Sequence, residues 1–200
     1  MFWGCSSLKT LNISNFNTES LNNMEYMFYG YNSLTCLDLS IFDTSKVPLM
    51  NHMFYVCNSL KTLNISIFNT NTKSVFCMEY MFYECNSLTS LDLSNFNTSN
   101  VKELNNMFNG CQSLINLYLT TLDVNSITNI YNIFYDCNSL TTLNLSNFNT
   151  NNLLNLENMF FNCNSLIYLD ISNFDPSKVT NMNSIFNNCN HLKSINWLNY

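Results

Sequence analysis

Seven of the nine cysteines, Cys5, Cys57, Cys85, Cys111, Cys137, Cys163 and Cys189, occupy one position of a recurring unit. Thiols repeated in this way can bind zinc, form disulfides or pack as small apolar groups. Zinc needs four ligands converging tetrahedrally, whereas equivalent positions of stacked units present sulfurs in a line, all pointing the same way. A disulfide needs Cβ atoms about 3.5 to 4.5 Å apart, and parallel side chains in register stay near the ladder spacing of about 4.8 Å. The row therefore reads as buried free thiols, with Tyr31 standing in for one of them. Cys36 and Cys77 fall outside the row and are expected to be more exposed.

Other reactive residue types are sparse. His52 and His191 occur in distant units at unrelated positions, without a Ser or Cys nearby in a catalytic arrangement. They read as solvent-facing or locally hydrogen-bonded, so no enzyme, metal site or cofactor is expected. Glycosylation sequons at Asn12, Asn64, Asn97 and Asn144 follow mostly from the strand consensus of an Asn-rich chain.

Binding chemistry is better represented. Between the leucines of each unit lie two outward columns. One runs through Thr10, Cys36, Thr62, Ser90, Asn116, Thr142, Tyr168 and Ser194, the other through Asn12, Asp38, Asn64, Asp92, Tyr118, Asn144, Asp170 and Asn196. Tyr118 and Tyr168 interrupt this small polar surface, and exposed tyrosines on a rigid face are common binding anchors. Asp92, Asn116, Asn144 and Asp170 surround them as candidate polar contacts. A second aromatic row, Tyr29, Tyr55, Tyr83, Tyr135 and Phe161, follows a core Phe column directly. It reads as a structural cover or as a binding stripe.

These columns exist because the chain repeats. Units start at Met1, Met27, Met53, Met81, Met107, Ile133, Met159 and Ile185, a period of 26 with two extra residues in the stretch 53 to 80. Within each unit L-x-x-L-x-L places apolar residues at alternate positions, the pattern of a short strand with one buried face. Strands are expected at Leu11 to Ile13, Leu37 to Leu39 and each equivalent triplet. Apolar residues then recur at spacings of three and four, as in Val101, Leu104, Met107 and Phe108, which predicts a short helix. Thr18, Thr44, Thr70, Thr98 and Thr150 would cap its start, and Asp175-Pro176 would do so in another unit. Gly4, Gly30, Gly110, Asp136, Asn162 and Asn188 would close it in the left-handed conformation, with Val56 and Glu84 expected to end differently. Pro48 should shift or shorten the second helix.

Neither element is stable alone, so the units must stack. The expected architecture is α/β, a solenoid with a parallel β-sheet roughly 35 Å long on one face and short helices on the other. Residues 1–200 show no composition break and are read as a single repeat domain of about eight units. Met1 shares the repeat position of Met27, so the chain is expected to begin within a unit and to be a piece of a longer protein. Trp197, Leu198 and Tyr200 replace the usual residues of the last unit, as a cap or as exposed apolar surface.

Charged residues make up 10% of the chain and the net charge is −6, which argues against nucleic acid as a partner. No apolar run is long enough to span a bilayer, and the first residues carry no secretory signal pattern.

The consensus MFxxCxSLxxLxLSxFxTxxVxxM resembles the leucine-rich repeat surface proteins of the BspA-like type, in the 26-residue variant of mycoplasma-type lipoproteins. The fit departs at Tyr31, at residues 120 to 124 (TTLDV) and in the last unit. The resemblance implies a non-enzymatic binding module at the cell surface or secreted, recognising protein or glycan for adhesion. Two other readings stay open: a structural spacer that self-associates end to end, and a cytoplasmic protein-interaction scaffold.

Overall fold

The computed structural model describes residues 4–68 and 75–197. Met1, the cap expected at Thr70, and Leu198 and Tyr200 lie outside these residues. Seven three-residue strands follow in order: β1 Cys36–Asp38, β2 Thr62–Asn64, β3 Ser90–Asp92, β4 Asn116–Tyr118, β5 Thr142–Asn144, β6 Tyr168–Asp170 and β7 Ser194–Asn196. Each begins one residue before the expected triplet, so that the inward Leu or Ile is central, and Leu11 to Ile13 form no strand. All pairing is parallel and one unit apart, with Cys36 opposite Thr62, Ser90 opposite Asn116, and Thr142, Tyr168 and Ser194 aligned. Within each paired set the outward columns are therefore rows of the folded chain.

The sheet is not continuous. It divides into β1–β2, β3–β4 and β5–β6–β7. The division between β4 and β5 falls where the sequence departs from its consensus. In other units a buried threonine clamps its neighbour: the Thr98 hydroxyl donates to the Asp123 carbonyl at 2.7 Å and accepts the Asp123 amide at 2.6 Å. Thr18 and Thr150 do the same to Asp43 and Asp175, with Thr18 donating to Ile41. Val124 holds that position after β4 and has no hydroxyl to offer. Leu122 likewise replaces a phenylalanine that elsewhere stacks along the solenoid, as Phe148 does on Phe174 at 6.4 Å. The threonines are thus not helix caps. Local capping is done one residue earlier, where Asn17, Asp43, Asn97, Asp123, Asn149 and Asp175 each accept the amide two residues on.

No helix occurs among the described residues, which corrects the α/β expectation. The segment read as helical is a chain of turns hydrogen-bonded to the next unit. Tyr26, Phe28 and Gly30 donate to Asn51, Met53 and Tyr55 at 3.3, 2.9 and 2.8 Å, while Met27 and Tyr29 close three-residue steps onto Met24 and Tyr26. The same pattern recurs from unit to unit, as in Phe134 to Met159 and Asn162 to Asn187. An α-helix would need these amides for bonds within its own unit. The apolar spacing of three arises because the turns ending at the unit start and at the cysteine position each advance three residues between buried side chains, as from Met24 to Met27 and from Phe54 to Cys57. Pro48 breaks no helix; its carbonyl accepts the Phe76 amide, and it has no amide to return toward the first unit.

Two turns in each unit, those ending at the Met/Ile that starts the unit and at the cysteine position, have positive φ at their third residue. Gly4, Gly30, Gly110, Asp136, Asn162 and Asn188 have it, as their types foretell, and so do Val56 at 59° and Glu84 at 53°, against expectation. A second set goes unannounced by composition: Tyr26, His52, Tyr80, Asn106, Asn132, Asn158 and Ser184. The left-handed region costs an L-residue about 1–2 kcal/mol, so tertiary bonding holds these residues there.

Inside, Phe28, Phe54, Phe82, Phe108, Phe134, Phe160 and Phe186 stack at 5.4 to 5.8 Å within 7° of parallel. Each such pair contributes about 0.5–1.5 kcal/mol beyond its burial. Beside them the cysteine row does more than fill space: Cys85, Cys111, Cys137 and Cys163 donate Sγ–H to the carbonyls of Phe54, Phe82, Phe108 and Phe134 at 3.2 Å. All nine thiols are free. Burial pushes the Cys57 and Cys111 thiols up to about 12. Cys36 is exposed as expected, whereas Cys77 is buried, because its position faces the turn ladder through bridges to Leu49 and Glu103. Tyr31 fills its cysteine position fully buried, its ring edge-on to Phe28 at 5.9 Å.

Two measurements check this fold. Val56→Gly relieves a β-branched residue at positive φ and should raise stability to denaturant by about 1 kcal/mol. Gly110→Ala should lower it by about as much or more, since an added Cβ would lie 2.9 Å from Glu84 Cγ at a φ of 78°. The opposite signs would refute the turn ladder. In iodoacetamide labelling read by mass spectrometry, Cys36 and Cys5 should react roughly tenfold or more faster than Cys85, Cys111 and Cys137. The Cys36 rate should climb below the ordinary thiol range, because hydrogen bonds with Thr62 and then Thr35 favour its thiolate.

Candidate functional site

The outward faces of the strands present small polar side chains broken by two aromatics. Tyr118 is 51% exposed and Tyr168 38% exposed. Tyr118 sits opposite Asp92 across the β3–β4 pair, and Asn116 sits opposite Ser90. On the other side of the division, Tyr168 aligns with Thr142 and Ser194, and Asp170 lies opposite Asn144. The six residues singled out in the sequence thus fall into two groups of three. A cleft of about 250 Å³ opens where β4 and β5 fail to pair, lined by Tyr118 and Asn144 among others. It joins the groups, and its far edge is closed by Asn147, whose amide donates to the Leu119 and Leu122 carbonyls at 3.0 and 3.2 Å.

The acids of this face are partly committed to structure. Asp92 and Asp170 each accept the amide two residues on, Ser94 at 2.8 Å and Ser172 at 3.0 Å, as does Asn144 from Ser146. The Tyr168 hydroxyl reaches the other Asp170 oxygen at 3.4 Å. Burial raises the Asp170 carboxyl, but hydrogen bonds from Ser172, Asn196 and Tyr168 outweigh it and hold the group below the usual carboxylate range. Hydrogen bonding thus favours the charged form of Asp170.

The turn face carries more aromatic surface than the strand face. Tyr29, Tyr55 and Tyr83 stack at 5.0 and 4.6 Å, and beside them Tyr26, His52 and Tyr80 stack at 4.6 and 4.8 Å. His52 is therefore a ring in a stack, and burial lowers its basicity. The second column is visible in the sequence only once residues are compared three positions before each tyrosine of the first. The group among the described residues able to hold a cation is Cys77, Glu79 and Glu103, whose ligand atoms lie within 4.8 Å of one another. There the buried Cys77 thiol donates to Glu103 at 3.6 Å. Burial first, then the Glu103 carboxylate, raises Glu79. No helix among the described residues is long and apolar enough to cross a membrane.

Three solved structures align with the chain. A leucine-rich repeat protein of T. pallidum aligns with a TM-score of 0.56 at 23% identity, over 84% of this chain and 69% of that one. A leucine-rich repeat protein from Bacteroides ovatus aligns over 86% of this chain and 57% of its own, at 17% identity and a TM-score of 0.36. A leucine rich cell surface protein from Faecalibacterium prausnitzii does so over 98% and 74%, at 17% and 0.34. No curated protein sequence matches. The first of these structures shows the fold, a parallel solenoid of the leucine-rich repeat kind. The sequence pattern goes further, matching one family profile over residues 1–90, 40–139 and 113–199, and the chain belongs to that family, described as Mycoplasma protein of unknown function, DUF285.

Proposed function

We propose that the chain is a non-enzymatic binding module, displayed at the cell surface, that recognises a protein partner through its strand face. The observation that carries this reading is the protrusion of Tyr118 and Tyr168, 51% and 38% exposed, from strand positions otherwise occupied by Asn, Asp, Ser and Thr apart from Cys36. Tyrosines offer large amphipathic contact area at low entropic cost. Asp92, Asn116, Asn144 and Asp170 supply acceptors and amides around them, and the cleft between β4 and β5 lets a ligand side chain reach past Tyr118 toward Asn144. With a net charge of −6 the module suits a neutral or basic partner surface. Surface display rests on the resemblance of the repeat to BspA-like surface proteins, and a glycan ligand is the competing chemistry.

The double variant Tyr118→Ala, Tyr168→Ala should keep the circular dichroism spectrum of the wild type and weaken attachment to host cells or matrix by roughly tenfold or more. Tyr29→Ala with Tyr55→Ala should leave attachment unchanged. If the second pair abolishes attachment and the first is silent, the strand face is only scaffold. Loss of attachment after enzymatic removal of target glycans, with proteins intact, would assign the face to sugar instead.

A further inference from the structure

The tyrosine column on the turn face has a gap. Tyr55 and Tyr83 stack at 4.6 Å with 8° between their planes, and Tyr135 and Phe161 stack at 4.8 Å with 2°. Between Tyr83 and Tyr135 the repeat places Asn109, whose amide is tied to Asn106 in the same turn at 2.9 Å. The adjacent column is interrupted at the same level, where Gly110 stands between Glu84 and Asp136. The two vacancies coincide in a cleft of about 540 Å³ lined by Tyr83, Glu84, Asn109, Gly110, Tyr135 and Asp136, among others.

Its dimensions follow from the stack. Two unit spacings separate the flanking rings by roughly 9.5 Å. A planar group midway would lie about 4.8 Å from each face, the separation the neighbouring rings already adopt. Aromatic faces carry negative potential. Two carboxylates stand at the rim: the stem of Glu84 crosses Gly110, with its Cγ 2.9 Å from where a Cβ would be, and Asp136 accepts the Asn162 amide at 2.7 Å through one oxygen. No basic residue lines the cleft. A planar slot between two rings with two acids at its mouth selects a planar cation.

We infer that this cleft binds the guanidinium of an arginine on a partner protein, inserted between Tyr83 and Tyr135 and balanced by Glu84 and Asp136. Guanidinium is flat, weakly hydrated and forked toward carboxylates, whereas a lysine ammonium is compact and strongly hydrated. The seven basic residues of this chain, Lys9, Lys46, Lys61, Lys73, Lys102, Lys178 and Lys193, are all lysines, so a second copy of it cannot supply the arginine. The assignment rests on the reading of the chain as a protein-binding module only for the source of that arginine. The cleft is separate from the strand face.

The probe is N-acetyl-arginine amide, titrated into the chain and followed by NMR of labelled tyrosine rings, with the uncharged isostere N-acetyl-citrulline amide as reference. Saturable shifts at Tyr83 and Tyr135 are expected for arginine, at least roughly tenfold weaker for citrulline, and equally weakened by Glu84→Gln with Asp136→Asn. Asn109→Tyr supplies the missing ring, continues the stack and should abolish the shifts with the fold retained. Tyr118→Ala with Tyr168→Ala should leave them untouched, which separates failure here from failure of the strand-face reading. Equal binding of citrulline and arginine, undiminished binding by Asn109→Tyr, or no saturable shift would overturn the assignment.

Discussion

Three amides in each complete turn, such as those of Tyr26, Phe28 and Gly30, forgo the bonds a helix would make and donate to the following unit. This cross-unit ladder continues where the strands fall apart, with Asn106, Phe108 and Gly110 donating to Tyr131, Ile133 and Tyr135 across the level at which β4 and β5 do not pair. The stack is held from the turn side, and much else follows. Left-handed residues are needed twice per turn, and asparagine is the side chain that tolerates that conformation while still bonding its neighbours. Asn188 and Asn162 show both properties, each at positive φ and each donating to the unit before it, at 2.6 and 2.7 Å.

The side chains on the two surfaces accordingly do different work. On the strand side Asp38, Asn64, Asp92 and their column mates look outward but spend an oxygen on the turn that follows. On the turn side the rings of Tyr29, Tyr55 and Tyr83 meet face to face, each against a copy of itself. A repeat that places identical residues one above another makes stacking the default. The repetition lapses at Tyr118, Tyr168 and Asn109, and at each the column presents a side chain its neighbours do not.

Much of this was legible in the sequence. Alternation around Leu37, Leu91 and Leu143 announces the strands and the direction of every neighbour, and the cysteine row announces a burial that holds for Cys57, Cys85, Cys111, Cys137 and Cys163 but not for Cys5, which is exposed, or Cys189, which is half-buried, in the outermost units. The turn face reads as helical because Val101, Leu104, Met107 and Phe108 repeat at intervals that a helix and a run of three-residue turns share. Only the destination of the amides distinguishes the two, and that depends on a neighbour 25 residues away. Val56 and Glu84 were opaque for a related reason: local propensity opposes their conformation and the stack imposes it. The gap between β4 and β5 could have been anticipated from Val124, once threonine is understood to bond between units and not within one.

Because those turn amides all point toward higher-numbered units, with no bonds of the opposite sense at the same positions, the turn face is an electrically directed array. Opposed peptide dipoles largely cancel across a β-sheet; here they add along the stack, with the positive pole toward the C-terminal side, the reverse of an α-helix. Any further repeat docking on that side must offer carbonyls, and one docking on the other must offer amides. A unit stacked on either end would therefore have to keep the same chain direction as the rest.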